Sequence, residues 1–202
     1  MYFGCIALPP EPPAPAIDYK NYAYFDGTLT PMEVPRAVFE TDINSDWTIE
    51  VVFYDTRSNP SNEAYPICLG SERAYCRKRH SRYYAIAGST TSTMYANASA
   101  GEHTIIINDN RKCYVDETYI GDWSPYGTSI DAGNVLYIGA RDDGGWKWDE
   151  YIKKVKVTKN STGDVICEYK PAIIDNEACF YDEINDSKLT TTGLTVMDTI
   201  PT

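Results

Sequence analysis

A series of strand-length segments separated by turn residues fills the second half of the chain and constrains its fold more than any other feature. The segments cover residues 101–108, 112–117, 134–141 and 151–158, and a short Asn-Asp-Asn-Arg turn joins the first two. Val, Ile, Thr and Tyr are frequent in them, and these residue types suit a pleated, half-buried surface. No window shows an apolar stripe at helical spacing. The sequence therefore predicts an all-β protein with few, short helices.

Length and charge narrow the class of protein further. The 202 residues fit one β-sandwich, since sandwiches commonly run to ~200–250 residues as a single domain. A formal net charge of −11 argues against nucleic acid as a partner. No stretch of about 18 apolar residues occurs, so we expect no membrane insertion. The first eight residues lack a basic start and a long apolar run, so we expect no secretory signal.

The six cysteines are too dispersed for a zinc site, which needs close pairs. Cys113, Cys167 and Cys179 each stand in a strand-like run, and we expect them to be buried thiols that pack as small apolar groups. Cys68 and Cys76 are eight residues apart across a predicted hairpin and form the one plausible disulfide pair. A reducing environment during assembly is the default expectation.

The N-terminus carries five prolines between positions 9 and 15. Proline fixes φ and removes a backbone donor, so this run favours extended polyproline II geometry over a sheet. Residues 1–17 are therefore predicted to form an arm outside the globular body. The arm is either a disordered tail or a semi-rigid tether with an apolar tip that docks on a partner. The predicted docking residues of the tip are Tyr2, Phe3, Ile6 and Leu8.

Three further segments extend the order of strand-like runs and turns along the chain. Residues 22–28 read Tyr-Ala-Tyr-Phe-Asp-Gly-Thr, residues 47–54 form an apolar strand-like run, and residues 177–189 contain a Tyr-Asp-x-x-Asn core. With the Ile-Gly ending at residues 138–139, this order resembles concanavalin A-like, laminin G-like domains of phages and prophages of gut bacteria. The resemblance implies a two-sheet antiparallel jelly-roll sandwich over residues 18–202.

The resemblance also implies a function. It points to a non-enzymatic bacteriophage structural or decoration protein, on the capsid or tail surface of a virion assembled in the host cytoplasm. The arm would then bind other virion proteins within an oligomeric assembly, and host surface glycans would be candidate ligands of the body. The alternative is a free bacterial carbohydrate-binding, lectin-like module, and a glycoside hydrolase of the same fold ranks below both.

Catalysis is not expected, because the required carboxylates are missing. Glucanases of this fold carry a Glu-x-Asp-x-(x)-Glu motif on one strand, where alternate residues share a face. The nearest match, residues 40–46, has the composition of a turn. The adjacent acidic pairs 149–150 and 182–183 would point to opposite faces of a strand. Only two histidines, His80 and His103, are available as general bases.

The best candidate for a contact surface is the loop at residues 141–149, which reads Arg-Asp-Asp-Gly-Gly-Trp-Lys-Trp-Asp. A tryptophan face stacks well on sugars or fills a protein hot spot. We expect Trp148 to be buried and Trp146 to be exposed. Trp123 and Tyr126 would line the same rim, or else pack within a turn. The predicted ligand-binding residues are Trp146, Trp123, Tyr126 and Arg141.

The same loop contains the candidate metal ligands. Laminin G-like domains often bind calcium at the rim of the sandwich, and the resemblance assigns this role here to Asp142 and Asp143. The alternative is a solvated acidic turn, which the residue pattern alone favours. No other cofactor is expected.

Overall fold

The computed structural model describes only part of the chain. Within it every regular element is a β-strand, so the all-β prediction is confirmed for these residues. No helix among them is long and apolar enough to cross a membrane. The described ranges are 16–35, 46–56, 64–69, 74–79, 82–87, 94–97, 99–108, 112–122, 136–141 and 144–201.

The strands form two antiparallel sheets of a β-sandwich. The large sheet contains β1 (Asp18–Tyr19), β2 (Tyr22–Tyr24), β4 (Trp47–Asp55), β9 (Gly101–Asn108), β10 (Lys112–Val115), β11 (Thr118–Asp122), β13 (Tyr151–Lys159), β14 (Val165–Ile174), β15 (Glu177–Asp182), β16 (Ser187–Leu189) and β17 (Thr195–Met197). The small sheet contains β3 (Met32–Glu33), β5 (Ala64–Leu69), β6 (Ala74–Arg79), β7 (Arg82–Ala87), β8 (Met94–Asn97) and β12 (Leu136–Ile138).

The long strands lie at the centre of the large sheet, in the order β11-β10-β9-β4-β13-β14-β15-β16. Strand β2 lies beside the start of β13, β17 pairs with β2, and β1 pairs with the end of β14. The small sheet has the order β3-β12-β5-β6-β7-β8. Strands β4 and β13 therefore have neighbours on both sides, and they match the segments whose apolar patterns predicted strands.

Alternation along β4 builds one side of the core. Ile49, Val51 and Phe53 are buried, whereas Thr48 and Glu50 on the other face are partly exposed. Burying a side chain of this size contributes about 1.5–3 kcal/mol relative to leaving it in water. The same core takes up residues of both sheets, including Ile67, Tyr83, Leu136 and Ile138 from the small sheet and Ile105, Ile152, Val155 and Phe180 from the large one.

Short turns with specific side chains connect the strands. Asp116 and Glu117 both have positive φ, at 49° and 63°, and form the two-residue turn between β10 and β11. That conformation matches the right-handed twist of a hairpin. After β15, the buried carboxylate of Asp182 accepts hydrogen bonds from the backbone N–H of Ile184 and the side chain of Asn185. The predicted Tyr-Asp-x-x-Asn turn is thereby confirmed.

The cysteines of the described residues are buried thiols. Cys68, Cys113, Cys167 and Cys179 have no exposed surface and form no disulfide. Burial raises the pKa of the Cys167 thiol far above its ordinary value. In the register of β5 and β6, Cys68 lies opposite Tyr75 rather than Cys76. The expectation of buried, reduced thiols is confirmed for Cys113, Cys167 and Cys179, whereas Cys68, the candidate partner of Cys76, is a free thiol as well.

Candidate functional site

Backbone hydrogen bonds fix the described part of the 141–149 loop, residue 141 and residues 144–149. The N–H of Gly144 donates to the carbonyl of Arg141 at 2.9 Å, and the N–H of Arg141 donates to the carbonyl of Gly145 at 3.1 Å. The carbonyl of Trp146 accepts from Tyr65 at 3.0 Å, and the N–H of Trp148 donates to the carbonyl of Gly139 at 2.8 Å. These described residues therefore present their side chains from a fixed backbone.

The two tryptophans of this loop have opposite environments, as predicted. Trp148 is 1% exposed and packs edge-on against Phe53, with 5.3 Å between ring centroids. Trp146 is 44% exposed. The backbone of Trp146 is left-handed, with a φ of 50°. Such a conformation costs an L-residue about 1–2 kcal/mol, so the hydrogen bonds around it hold an exposed indole in a strained position.

Of the remaining predicted site residues, the structure describes only Arg141. Arg141 is half-buried at the base of the loop. Trp123, Tyr126, Asp142 and Asp143 lie outside the described residues, as does the arm with Tyr2, Phe3, Ile6 and Leu8. In the described ranges, no group of three or more His, Cys, Asp or Glu side chains is arranged to hold a metal ion. The calcium site at Asp142 and Asp143 stays a prediction.

The histidine of β9 belongs to a network that joins the two sheets. Asp55, at the end of β4, is fully buried and accepts a hydrogen bond from the Tyr83 hydroxyl of β7 at 2.6 Å. The same hydroxyl lies 2.8 Å from the carbonyl oxygen of Ser99. That carbonyl also lies 2.9 Å from Nε2 of His103, while Nδ1 lies 2.7 Å from Oδ2 of Asp116.

Ser99, His103 and Asp116 thus contact one another in a row, in the order that the three residue types have in a hydrolytic triad. In a hydrolytic triad, Nε2 accepts the proton of the serine hydroxyl. Here the shortest contact of Nε2 is with a carbonyl, which only accepts, and the Ser99 hydroxyl is farther away at 3.4 Å. Nε2 is therefore placed as a donor, and only 6% of His103 is exposed. The arrangement links β9 to its neighbouring loop and turn and is unsuited to base catalysis.

In each adjacent acidic pair one carboxylate is buried and the other is at least partly exposed, although neither pair lies within a strand as predicted. Glu150 is 2% exposed and accepts from the Thr56 hydroxyl at 2.8 Å, whereas Asp149 is partly exposed. Asp182 is buried and accepts from the backbone N–H of Glu168 at 3.1 Å, whereas Glu183 is exposed. Neighbouring carboxylates therefore do not converge on one point in either pair.

The outward face of the large sheet carries a groove that the sequence did not predict. Its volume is about 350 Å³. We call it the lysine groove, because lysines are its most frequent lining residue. The lining consists of Lys20, Asn21, Glu50, Val52, Glu102, Thr104, Lys153, Lys154 and Lys170.

A β-bulge in β13 supplies two of these lysines. The pairing of β13 with β4 shifts between Ile152 and Lys154, so that Ile152 and Val155 both enter the core. The two residues between them, Lys153 and Lys154, consequently both line the groove. Bulges commonly re-aim side chains next to functional sites. The signal in the sequence is the Ile-Lys-Lys-Val step, which breaks the strand's period of two.

A cluster of tyrosines borders the lysine groove. Tyr22 packs edge-on against Tyr54 and Tyr151, with ring centroids 6.2 Å and 6.4 Å away. The Tyr22 hydroxyl donates to Glu102 at 3.3 Å, and Nζ of Lys153 lies 5.8 Å from the centre of its ring. The groove thus combines cations, carboxylates and an aromatic edge on one face.

The β-sandwich fold is assigned from the structure. A comparison with protein-family models gives no match, and a comparison with curated proteins likewise finds no significantly similar sequence. The chain is an antiparallel β-sandwich with a projecting tryptophan at residue 146 and a charged groove on its large sheet.

Proposed function

We propose that this chain is a non-enzymatic recognition domain that contacts its ligand through Trp146. The observation that carries the proposal is the exposed indole on a left-handed, hydrogen-bonded backbone. Burying an exposed aromatic side chain contributes about 1.5–3 kcal/mol to binding. A fixed loop loses little further conformational entropy on association, so most of this contribution is retained.

The absence of catalysis is part of the same proposal. Among the described residues, the adjacent carboxylate pairs diverge and His103 is oriented as a donor. Neither arrangement supplies the paired carboxylates or the activated nucleophile that glycoside or ester hydrolysis needs. A binding role uses the observed features without requiring either.

For the biological setting, we favour a structural or decoration protein of a bacteriophage virion. The support is the resemblance of the segment order to laminin G-like, jelly-roll domains, together with the Pro-rich arm and its apolar tip. On this proposal the arm anchors the chain to other virion proteins within an oligomer, while the 141–149 loop faces host surface glycans. The alternative is a free bacterial lectin-like module, for which the apolar tip has no use.

Glycan binding by the full chain tests the recognition role. The experiment compares the wild type with Trp146→Ala on an array of bacterial surface glycans. Tyr119→Ala is the matched control, because Tyr119 is 49% exposed and lies on β11, which β10, β9 and β4 separate from β13. We expect Trp146→Ala to weaken binding by about tenfold or more and Tyr119→Ala to leave it unchanged. Equal binding by all three proteins would show that the 141–149 loop is not the contact surface.

Immunogold electron microscopy of the native source material tests the virion setting. Antibodies raised against the sandwich should label the surface of phage particles. Label confined to bacterial cells or to the medium would instead support the free lectin-like module.

A further inference from the structure

The lysine groove shares no lining residue with the 141–149 loop, so a ligand there would be independent of Trp146. It crosses β9, β4, β13 and β14 and the link between β1 and β2. A volume of about 350 Å³ is at the lower end of the range of small-molecule pockets. The groove therefore suits a small, polar ligand.

We propose that the lysine groove binds an anionic saccharide, with the acidic group of the sugar held by Lys153 and Lys154. The bulge in β13 places these two consecutive side chains on the same face. A regular strand would have directed one of them into the core.

The positions of both ammonium groups are fixed by carboxylates. Nζ of Lys153 lies 2.8 Å from Glu102, and Nζ of Lys154 lies 2.5 Å from Glu50. An ammonium group has three donors, so one such pair leaves others to contact a ligand. The Lys153–Glu102 pair is partly exposed, and such pairs are individually weak. Glu50 keeps Lys156 as a partner if Lys154 turns towards a ligand.

Ammonium groups are the most frequent charged groups in the lining, and they can contact an anion but not a cation. Four of the nine lining residues are lysines and two are glutamates, in a chain whose formal net charge is −11. Lys20 pairs with Asp18 and Asp198, and Lys170 pairs with Glu168, so the groove offers exchangeable ammonium groups rather than a net positive charge. A long polyanion would extend over the acidic surface around the groove and be repelled, whereas a short acidic sugar would not.

The other groups of the groove fit the neutral part of a sugar. Glu50, Glu102, Thr104 and Asn21 offer acceptors and donors for hydroxyl groups. Tyr22 borders them with a half-buried ring, and aromatic rings pack well against the apolar face of a sugar. Inorganic anions would use the lysines alone, so they should bind more weakly than an acidic sugar.

Isothermal titration calorimetry of the full chain tests this inference with three probes of equal length. The probes are a carboxylated trisaccharide (trigalacturonate), a sulfated trisaccharide and neutral galactotriose, with inorganic phosphate as a fourth, non-sugar anion. The test variant is Lys153→Gln/Lys154→Gln, which removes two charges at similar side-chain size. The matched control is Lys188→Gln, because Lys188 is paired with Glu177 on β15 and does not line the groove.

We expect the wild type to bind one or both acidic trisaccharides at least about tenfold more tightly than galactotriose and phosphate. The double variant should lose about tenfold or more in affinity, while Lys188→Gln and Trp146→Ala should bind like the wild type. The stronger acidic probe identifies carboxylate or sulfate as the preferred group. The inference is overturned if neither acidic probe binds, if galactotriose binds equally well, or if the double variant is unaffected. Loss of binding in Trp146→Ala would place the ligand at the 141–149 loop instead.

Discussion

Gly139 lies so close to Phe25 that a side chain at position 139 would have to displace the Phe25 ring. A methyl group placed on Gly139 would lie 2.2 Å from Cε1 of the Phe25 ring, well inside van der Waals contact. Gly139 also has a φ of 88°, which L-residues rarely adopt. The contact joins the end of β12 in the small sheet to the segment after β2 in the large sheet. The Ile-Gly ending seen in the sequence therefore has a packing cause.

Gly139→Ala should destabilise the fold by roughly 2–5 kcal/mol, from the left-handed backbone and from overpacking. Gly163→Ala is the control, because Gly163 has a similar φ of 76° but no atom within 4 Å of the added methyl group. It should cost only about 1–2 kcal/mol. Urea unfolding followed by fluorescence measures both. Equal losses in the two variants would mean that the Phe25 ring moves aside freely.

Trp148→Ala should destabilise the fold by about 3–5 kcal/mol, since it removes a large side chain from the core. Trp148→Phe should cost much less, because the indole N–H of Trp148 has no hydrogen-bond partner among the described residues. Trp146→Ala should leave the melting temperature nearly unchanged. Thermal unfolding of the three variants checks this order, and a lower melting temperature for Trp146→Ala than for Trp148→Ala would reverse the assignment of the two indoles.

Tyr83→Phe should destabilise the fold by about 1–3 kcal/mol, because the buried carboxylate of Asp55 loses a donor. Burial, followed by the hydrogen bond to Asp55, raises the pKa of Tyr83 far above its ordinary value of about 10. This contribution is present below pH ~10 and is lost as the pH rises towards the raised pKa. Unfolding free energy measured from pH 8 to 11 should therefore fall less steeply in Tyr83→Phe. Parallel curves for variant and wild type would contradict the assignment.

Glu50→Gln should make the fold less sensitive to acid. Burial alone would raise the pKa of Glu50, but its pairs with Lys154 and Lys156 outweigh burial and lower it. The resulting stability is present above the ordinary pKa of about 4.3 and is lost as the pH falls through the lowered value. Unfolding measured between pH 6 and 2.5 tests this, with Glu177→Gln, an exposed position with a single lysine partner, as control. If the unfolding free energy of Glu50→Gln falls with acid as steeply as that of the wild type, Glu50 does not contribute to the acid sensitivity.

Deleting residues 1–16 should leave the sandwich folded and abolish incorporation into particles. The described contacts of the body begin at Ile17, which packs beside Ala172 and Tyr181, and at β1, which pairs with β14. Circular dichroism checks folding, and sedimentation with particles checks assembly. If the truncated chain still co-sediments, the arm is not the anchor.

The sequence predicted those features that depend on local pattern. The strands at residues 47–54 and 151–158 and the opposite environments of Trp146 and Trp148 all follow from residue type and spacing. The two acidic pairs were expected within strands, but Asp149 and Glu150 precede β13, and Glu183 begins the turn after β15.

The lysine groove was not predicted because its lysines come from distant parts of the chain. Lys20, Lys153 and Lys170 meet only after β13 and β14 have paired and the segment containing β1 has been placed beside them. The Ile-Lys-Lys-Val step marks the bulge in β13, but it does not show which other residues the outward lysines will meet. The link from Tyr83 to Asp55 was missed for the same reason, because it crosses between sheets.

Strand β4 is synthesised well before β13, a strand with which it pairs. Val51 pairs with Val155, which leaves the ribosome roughly half a chain length later. At typical rates of about 5–20 residues per second, the segment between the two strands takes roughly 5–20 s to be made. Throughout that interval β4 lacks β13 as a neighbour along one edge. Its apolar residues Ile49, Val51 and Phe53 are part of the same unpaired strand. Slower translation should therefore lengthen the exposure of an aggregation-prone edge, so the yield of soluble protein depends on how quickly the second half of the chain follows the first.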